Sequence, residues 1–388
     1  MPPADLILFP HNGVFQLKER LTGADLAEDT SPDPLLEQAM AALASDGGRL
    51  ELGAGSYPIG NTIELPARTT LTGAGRSTRL QVSAAVGIRS MDTKAAIISD
   101  LAVEAAGADA ETGIQFMGVG EGELTELHVQ GFARNGILLS NNAFLCQVKG
   151  CRAANNAEAN FRLEQLAQGS PVGNYIPNVV SHCQAYGGGI GFLLHRAIVV
   201  NLVGCQVLKT RGAAYVIRAV SNSVCLNGCR SFKIDGDAVR VEQSHEINIT
   251  GNIFCWHRAT GIVLEDVRWG VISGNNVIDS GSEMTEDARS IGIWLKGETR
   301  GVQVTGNAVF NWGGQGLLTY GIRETDTCSE NQITENNINW FDRGGVVSDG
   351  ARTRAKNNHA VKEPAFEGKP DMPDPRFRFD DLEAFLRE

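Results

Sequence analysis

A short apolar strand of the same shape returns ten times along this chain, usually directly after a glycine. Most copies start about 23 or 24 residues after the previous one. The ten copies occupy residues 114–116, 137–139, 161–163, 192–194, 215–217, 239–241, 262–264, 293–295, 317–319 and 346–348. A fixed period in this range indicates a repeat architecture, in which each unit buries its apolar face against its neighbours.

A small polar position recurs between these strands with the same period. It holds cysteine in the first coils and asparagine in the later ones: Cys151, Cys183, Cys205, Cys229, Asn252, Asn275, Asn307, Asn336 and Asn357. Stacked asparagines can hydrogen-bond along the repeat, and cysteines can fill the same buried column. We therefore expect the asparagines to stack inside a solenoid. A redox role for the cysteines is the less favoured alternative.

The segment before the repeats has the pattern of a capping element. Residues 32–46 place leucines and Met40 on one helical face, Ser31 can cap the start of this helix, and two glycines follow its end. Strand-like segments come next at 49–59 and 69–75. This opening resembles the N-terminal cap of the pectin-lyase-like, right-handed parallel β-helix superfamily.

The predicted fold is therefore all-β: a single-stranded right-handed parallel β-helix of about ten or more coils with an N-terminal capping helix. We expect a cap at residues 1–94 that is continuous with the solenoid, coils at 95–360 and a C-terminal tail at 361–388, which has a short helical pattern at 380–386. Two coils carry insertions, at 168–175 and 280–287, and insertions in a solenoid often form one wall of a binding site.

Composition narrows the function classes. The 388 residues carry a net charge of −11, which disfavours nucleic acid and anionic membranes as partners. There is no apolar run long enough to span a membrane and no leader-like N-terminus, so we expect a cytoplasmic protein. The eight cysteines have neither a disulfide framework nor a metal-binding spacing, and no metal or cofactor is expected.

Candidate chemistry lies on the outward positions of the repeated strands. Alternation points the second and fourth residues of each strand to solvent, and adjacent coils lie about 4.8 Å apart. The central coils then place eight functional side chains on one ribbon: His195, Arg218, Arg240, Glu242, Glu265, Trp294, Lys296 and Tyr320. Glu242 and Glu265, one coil apart, approach the separation of about 5 Å that retaining glycosidases use. The alternative is a solvated ladder of charges that only ties the coils together.

A second acidic cluster surrounds the strand at 239–241. Asp235 and Asp237 precede this strand, and Glu242, His245 and Glu246 follow it. Trp256 and His257 lie in the same coil. Aspartate at a corner usually serves turn geometry, but four carboxylates and a histidine in one coil exceed what a corner needs.

Three segments of the central and C-terminal coils resemble the inulin fructotransferase family, glycoside hydrolase family 91. They are residues 235–240, 255–264 and 309–316. The resemblance implies a homotrimer that acts without a cofactor on a β-2,1-linked fructosyl unit, using an aspartate and a glutamate. The family's spacing fits Asp235 and Glu246 best, with Glu242 in reserve, whereas the ribbon favours Glu242 with Glu265.

Three functions follow from this pattern. The leading hypothesis is an enzyme that cleaves or transfers a fructosyl or other glycosyl unit of an oligosaccharide or polysaccharide, with an acid and a carboxylate partner. The second is a lyase or epimerase of uronate polymers, for which the arginines and Lys296 would neutralise the substrate carboxylate. The third is a glycan-binding solenoid without activity, of the phage-tail or adhesin kind.

Overall fold

A computed structural model describes residues 4–165, 177–281, 290–311 and 318–362, and these form a parallel β-helix. Each coil contributes one strand to each of three sheets, which we call A, B and C in the order in which the chain visits them. Within the described residues the sheets have 16, 13 and 12 strands. Each coil strand pairs in parallel with its equivalents in the coils before and after it, so equivalent residues form columns along the axis.

The strands of sheet A are Ala4–His11, Val14–Glu19, Asp25–Asp29, Gly48–Leu52, Thr69–Thr72, Ile97–Ser99, Glu123–Thr125, Gln147–Lys149, Asn178–Ser181, Ile198–Val203, Asn222–Asn227, His245–Thr250, Arg268–Ser273, Arg300–Thr305, Gln332–Thr334 and Arg354–Lys356. Those of sheet B are Gly55–Ile59, Thr78–Val82, Ala102–Ala105, His128–Gln130, Arg152–Ala154, Gln184–Tyr186, Gln206–Leu208, Arg230–Ile234, Ile253–His257, Asn276–Ser280, Ala308–Phe310, Asn337–Asn339 and His359–Val361. Those of sheet C are Ile63–Glu64, Val86–Met91, Thr112–Met117, Asn135–Ser140, Ala159–Glu164, Ile190–His195, Tyr215–Arg218, Val239–Glu242, Ile262–Glu265, Ile291–Lys296, Leu318–Glu324 and Phe341–Ser348.

The N-terminal end is capped by the expected helix and by a meander that the sequence did not reveal. The helix spans Pro32–Leu43 and ends earlier than predicted, and Ser31 Oγ accepts a hydrogen bond from the Asp33 amide at 3.4 Å. Its leucines and Met40 are buried. The first three strands of sheet A pair antiparallel and extend the sheet past the first coil, so they cover an open strand edge.

The three-sheet repeat begins at Gly48, well inside the segment that the sequence assigned to the cap. Its last described strand is His359–Val361 in sheet B. The predicted short helix at 380–386 lies outside the described residues, as do most of the insertions at 168–175 and 280–287. Within the described ranges, no helix is long and apolar enough to cross a membrane.

The interior polar column is confirmed. Asn252, Asn275 and Asn307 each donate from the side-chain amide to the asparagine of the next coil at 2.9 Å, and each also donates to a backbone carbonyl. Asn336 continues the column but donates to Asn358, so the prediction of Asn357 as the last member was wrong by one residue. The preceding cysteines are buried and unbridged, and burial raises the pKa of the Cys183 thiol. These cysteines are core fillers.

Nine of the ten predicted apolar strands lie in sheet C in the expected register. The exception is 317–319. Ile293 pairs with Ile322 and Leu295 with Glu324, so the repeated strand of this coil is 322–324. Glu324 consequently points inward. Its buried carboxylate accepts hydrogen bonds from Asn331 and Thr353, each at 2.7 Å, and from Ser348.

Replacing Asn307 by alanine should destabilise the protein by roughly 2–4 kcal/mol, because it removes several buried hydrogen bonds and leaves amides of Asn275 without their acceptor. Chemical denaturation should show this as a lower midpoint. The exposed Asn337, whose side chain accepts one bond at 3.3 Å, provides the matched control Asn337→Ala. Equal losses in the two variants would contradict a stabilising role for the column.

Candidate functional site

The outer face of sheet C carries two neighbouring columns of side chains, which we call the sheet C ribbon. One column is Glu164, His195, Arg218, Glu242, Glu265 and Lys296. The other is Arg162, Leu193, Val216, Arg240, Val263, Trp294 and Arg323. The buried residues Val241 and Leu264 alternate with these positions, so the predicted register is confirmed.

At the centre of the ribbon two carboxylates face each other across adjacent strands. Glu242 and Glu265 are register partners, and about a third of each side chain is exposed. Arg240 Nη1 donates to Glu242 at 3.2 Å, and Lys296 Nζ lies 2.7 Å from Glu265. Like charges directly opposite each other are destabilising, so each carboxylate is held by its own cation.

The buried carboxylate of Asp237 fixes the position of the Arg240 side chain. Arg240 contacts Asp237 Oδ2 through Nη2 at 2.6 Å and Nε at 2.8 Å, and the Thr260 amide donates to Oδ1 at 2.9 Å. Asp237 is only 3% exposed. Burial raises the pKa of Asp237, and the Arg240 charge partly offsets this rise. Asp237 therefore serves as a buried support for a ribbon cation.

One end of the ribbon is organised around His195. Arg218 Nε donates to His195 Nδ1 at 3.3 Å, and His195 Nε2 lies 3.9 Å from Glu164. The pKa of His195 is lowered, chiefly by burial, so the ring is neutral at pH 7 with its proton on Nε2. Among the described residues Arg218 forms no ion pair with a carboxylate.

The other end holds an aromatic and cationic group. Lys296 Nζ lies 5.1 Å from the centre of the Trp294 ring, and Trp294 pairs in register with Arg323. Among the described residues, Trp294 Nε1 and Arg323 Nε are buried without a hydrogen-bond partner. The sequence missed Arg323 because it placed the repeated strand of this coil too early.

Tyr320 is not where the sequence placed it. It pairs with Ile291, at the start of the strand that ends at Lys296, and its ring lies 4.7 Å from the Arg323 guanidinium carbon. The error follows from the shifted strand at 317–319. Tyr320 therefore contacts the ribbon through Arg323.

The apolar ribbon positions are less accessible than alternation predicts. Leu193 and Val216 face outward yet are buried within one chain, together with Ala159. Leu318, expected to point outward, lies in the main core. Leu193, Val216 and Leu318 therefore cannot supply exposed apolar contacts to a second subunit, whereas the outward-facing Leu138 stays partly exposed.

The structure does not bring Asp235 and Glu246 together. Asp235 follows the sheet B strand Arg230–Ile234, whereas Glu246 belongs to a sheet A strand. The sheet C strand Val239–Glu242 lies between them, and its four extended residues span about 13 Å. Asp235 pairs with Arg258 at 3.3 Å, and Glu246 accepts from Ser223 at 2.6 Å. Carboxyl groups that flank a glycosidic bond lie about 5–9.5 Å apart.

Glu246 is one of a column of left-handed residues that turn the chain from sheet C into sheet A: Val199, Ser223, Glu246, Trp269 and Gly301, with φ between 49° and 66°. His245 lies beside it in sheet A, paired with Asn222 and Arg268. Both residues are therefore away from the ribbon.

Trp256 and His257 also lie away from the ribbon, in sheet B. Trp256 Nε1 donates to Asp279 at 2.8 Å on the outer face. His257 points into the core, where Nε2 contacts Ser231 Oγ at 2.9 Å. No group of three metal-ligating side chains occurs in the described part of the chain.

The comparisons with known proteins agree with this architecture. A family model described as a right handed beta helix region matches residues 189–360. The A-module of mannuronan C-5 epimerase AlgE6 from Azotobacter vinelandii has a TM-score of 0.74 and 15% identity over 86% of this chain and 96% of that chain. The HK620 tailspike of an Escherichia coli bacteriophage, in complex with a pentasaccharide, has a TM-score of 0.57 and 12% identity, covering 86% and 75%.

A fragment of gene product 12 from bacteriophage Phi29 has a TM-score of 0.63 and 13% identity, covering 86% of this chain and 64% of that chain. No curated protein matches the sequence. The protein thus has the right-handed parallel β-helix fold, as predicted, and its fold is similar to that of a mannuronan epimerase and of phage tailspikes. The resemblance to inulin fructotransferases remains a prediction.

The buried imidazole of His257 predicts acid sensitivity. Burial lowers its pKa to about 3, whereas an unfolded histidine titrates near 6.5. Between these values the unfolded chain binds a proton that the native chain does not. This contribution to stability is complete above pH 6.5 and falls by ~1.4 kcal/mol per pH unit on acidification.

Denaturation of wild type and His257→Gln between pH 7 and 4.5 tests this prediction. The variant should be less stable at pH 7 but should lose stability less steeply as the pH falls. Parallel pH profiles would contradict it.

Proposed function

We propose that the protein is a glycan-processing enzyme that cleaves or transfers a glycosyl unit on the sheet C ribbon. The observation that carries the proposal is the cross-strand pair Glu242 and Glu265, each held by its own cation and followed one strand later by Trp294. Parallel strands place such partners about 4.8 Å apart, near the separation that retaining glycosidases use. The Trp294 ring offers an apolar face to a sugar.

The two carboxylates have different environments, and this difference suggests their roles. Glu265 lies 2.7 Å from the Lys296 ammonium and acts as the ionised partner that stabilises or traps the glycosyl cation. The cation beside Glu242 is shared: Arg240 is bound by Asp237 and donates one further N–H to Glu242 at 3.2 Å. Glu242 is then the acid that gives its proton to the leaving oxygen.

The family resemblance supports a fructosyl unit as the group transferred, as in inulin fructotransferases and difructose-anhydride hydrolases. The chemistry requires no cofactor, since both catalytic groups come from the chain. Asp237 is a positioning residue, because it contacts Arg240.

Substitution of the four candidate carboxylates by their amides tests the site. Glu242→Gln and Glu265→Gln should each lower kcat about 10²-fold or more on inulin or a difructose anhydride, because each removes a positioned acid or carboxylate. Asp235→Asn and Glu246→Gln are matched controls on the flanking corners and should retain turnover. The opposite pattern would place the site at the corners and reject the ribbon.

A uronate lyase or epimerase is the second candidate, favoured by two cations on the same face. Arg218 donates to a neutral histidine, and Arg323 has a buried Nε without a partner among the described residues. Either guanidinium could neutralise a uronate carboxylate, which makes the adjacent proton easier to remove.

Product analysis separates the candidates. Incubation with uronate polymers, inulin and difructose anhydrides gives an ultraviolet-absorbing unsaturated sugar for a lyase, a C-5 epimer detected by NMR for an epimerase, and new fructosyl products for a transferase. Binding without turnover of any of these would favour the third function, a glycan-binding solenoid.

We also propose a homotrimer, and the family resemblance is its support. Light scattering at micromolar concentration should give three times the mass of one chain, 41.5 kDa. A monomer would contradict this assembly and any site that needs a second subunit.

A further inference from the structure

The outer face of sheet B carries an unbroken line of apolar side chains, which we call the sheet B stripe. Its members are register partners in six successive coils: Tyr186, Leu208, Phe232, Cys255, Ile278 and Phe310. All six are half-buried, while the residues that alternate with them, such as Phe254 and Val277, fill the core. Single apolar residues on a surface are ordinary, but a contiguous row of this length indicates a surface that is covered.

Basic side chains border the stripe. Arg152 and Lys209 both lie within 6 Å of the Tyr186 ring, and Lys233 lies 5.7 Å from the Trp256 ring beside the next coils. Arg230 begins the strand that contains Phe232. A segment that covers the stripe should therefore combine large apolar groups with acidic ones.

The last described strand lies in the column of this stripe, beyond its C-terminal end. Phe310 pairs with Asn339, and Asn339 pairs with Val361 in the last described strand, so Val361 lies in the same column two coils further on. The residues that follow, 363–388, include four phenylalanines and carry eight acidic against four basic side chains. Their composition matches both the apolar row and its basic border.

The lengths are also compatible. From Tyr186 to Phe310 the stripe has five steps of about 4.8 Å, or about 24 Å, which about eight extended residues span. The 26 residues after Lys362 are ample for this. Four prolines among them oppose the continuation of the strand ladder, because proline lacks the N–H that the next coil would need.

We propose that the C-terminal segment 363–388 folds back along the outside of sheet B and covers the stripe with its phenylalanines. The docked segment holds the last coils against the central ones. This proposal is independent of the chemistry on sheet C.

Cys255 reports on the docking because it lies in the middle of the stripe. Burial raises the pKa of its thiol to about 11, which leaves little reactive thiolate at neutral pH. A docked segment that keeps Cys255 buried should therefore keep its alkylation slow. Cys225 is an internal control, since it is half-buried on the outer face of sheet A. The buried Cys205 reports unfolding of the whole chain.

The experiment compares three full-length chains by mass-spectrometric mapping of alkylated cysteines. One is wild type, one has Phe366, Phe377, Phe379 and Phe385 replaced by serine, and one has the same four replaced by leucine. The serine variant should label Cys255 at least about five-fold faster, with Cys225 and Cys205 unchanged, because the cover has lost its apolar contacts. The leucine variant should keep the wild-type rate.

An unchanged Cys255 rate in the serine variant would overturn the proposal and assign the cover to another segment or to a second copy of the chain. If the serine variant unfolds, Cys205 accelerates as well. The full-length variant Ala384→Cys then decides: a short bismaleimide should join residue 384 to Cys255 within one chain, and no such cross-link would equally reject docking.

Discussion

Every coil of this protein depends on its neighbours for its backbone hydrogen bonds. A strand in any of the three sheets donates to and accepts from the coils on both sides of it: the Ile190 amide donates to Glu158 in the preceding coil, and the Gly191 amide donates to Ala213 in the following one. An unpaired buried amide is costly, so the backbones of successive coils stay in register. This register stacks equivalent side chains along the axis, so each position must tolerate the same kind of residue in the coils before and after it. At Gly292 a Cβ atom would lie 2.7 Å from the Gly321 carbonyl oxygen, so this position needs glycine, whereas the same column holds Ala214 and Ala238 in earlier coils.

This constraint explains how far the sequence could predict the fold. Strict stacking makes the inward residues periodic, and nine strands and most of the asparagine column could be read from that period. The prediction of a strand at 317–319 failed because the chain runs further from Phe310 to Ile322 than between the equivalent residues Cys255 and Ile262, and a local Gly-Leu-Leu mimicked the repeat. The pair Gly321-Ile322, equivalent to Gly292-Ile293, was the available signal.

The candidate site was predictable only in part for a related reason. Alternation fixes which side chains face outward, so the line from His195 to Lys296 could be placed from sequence alone. Contacts across a corner cannot be deduced from strand alternation, because one left-handed residue redirects the chain into another sheet. Asp235 and Glu246 are close in sequence, but such corners separate them onto different faces. The support of Arg240 by Asp237 likewise depends on burial, which a sequence pattern does not show.

The change from cysteine to asparagine in the interior column has a consequence for how the β-helix unfolds locally. A thiol is a weak, single donor, and Cys205 and Cys229 give theirs to backbone carbonyls at 3.4 and 3.5 Å. An amide donates twice and accepts as well, so from Asn252 onward the side chains of this column bond to one another from coil to coil. Along this column, an opening that begins among the cysteine coils therefore meets the first amide at Asn252, which also accepts a hydrogen bond from the Cys229 backbone amide.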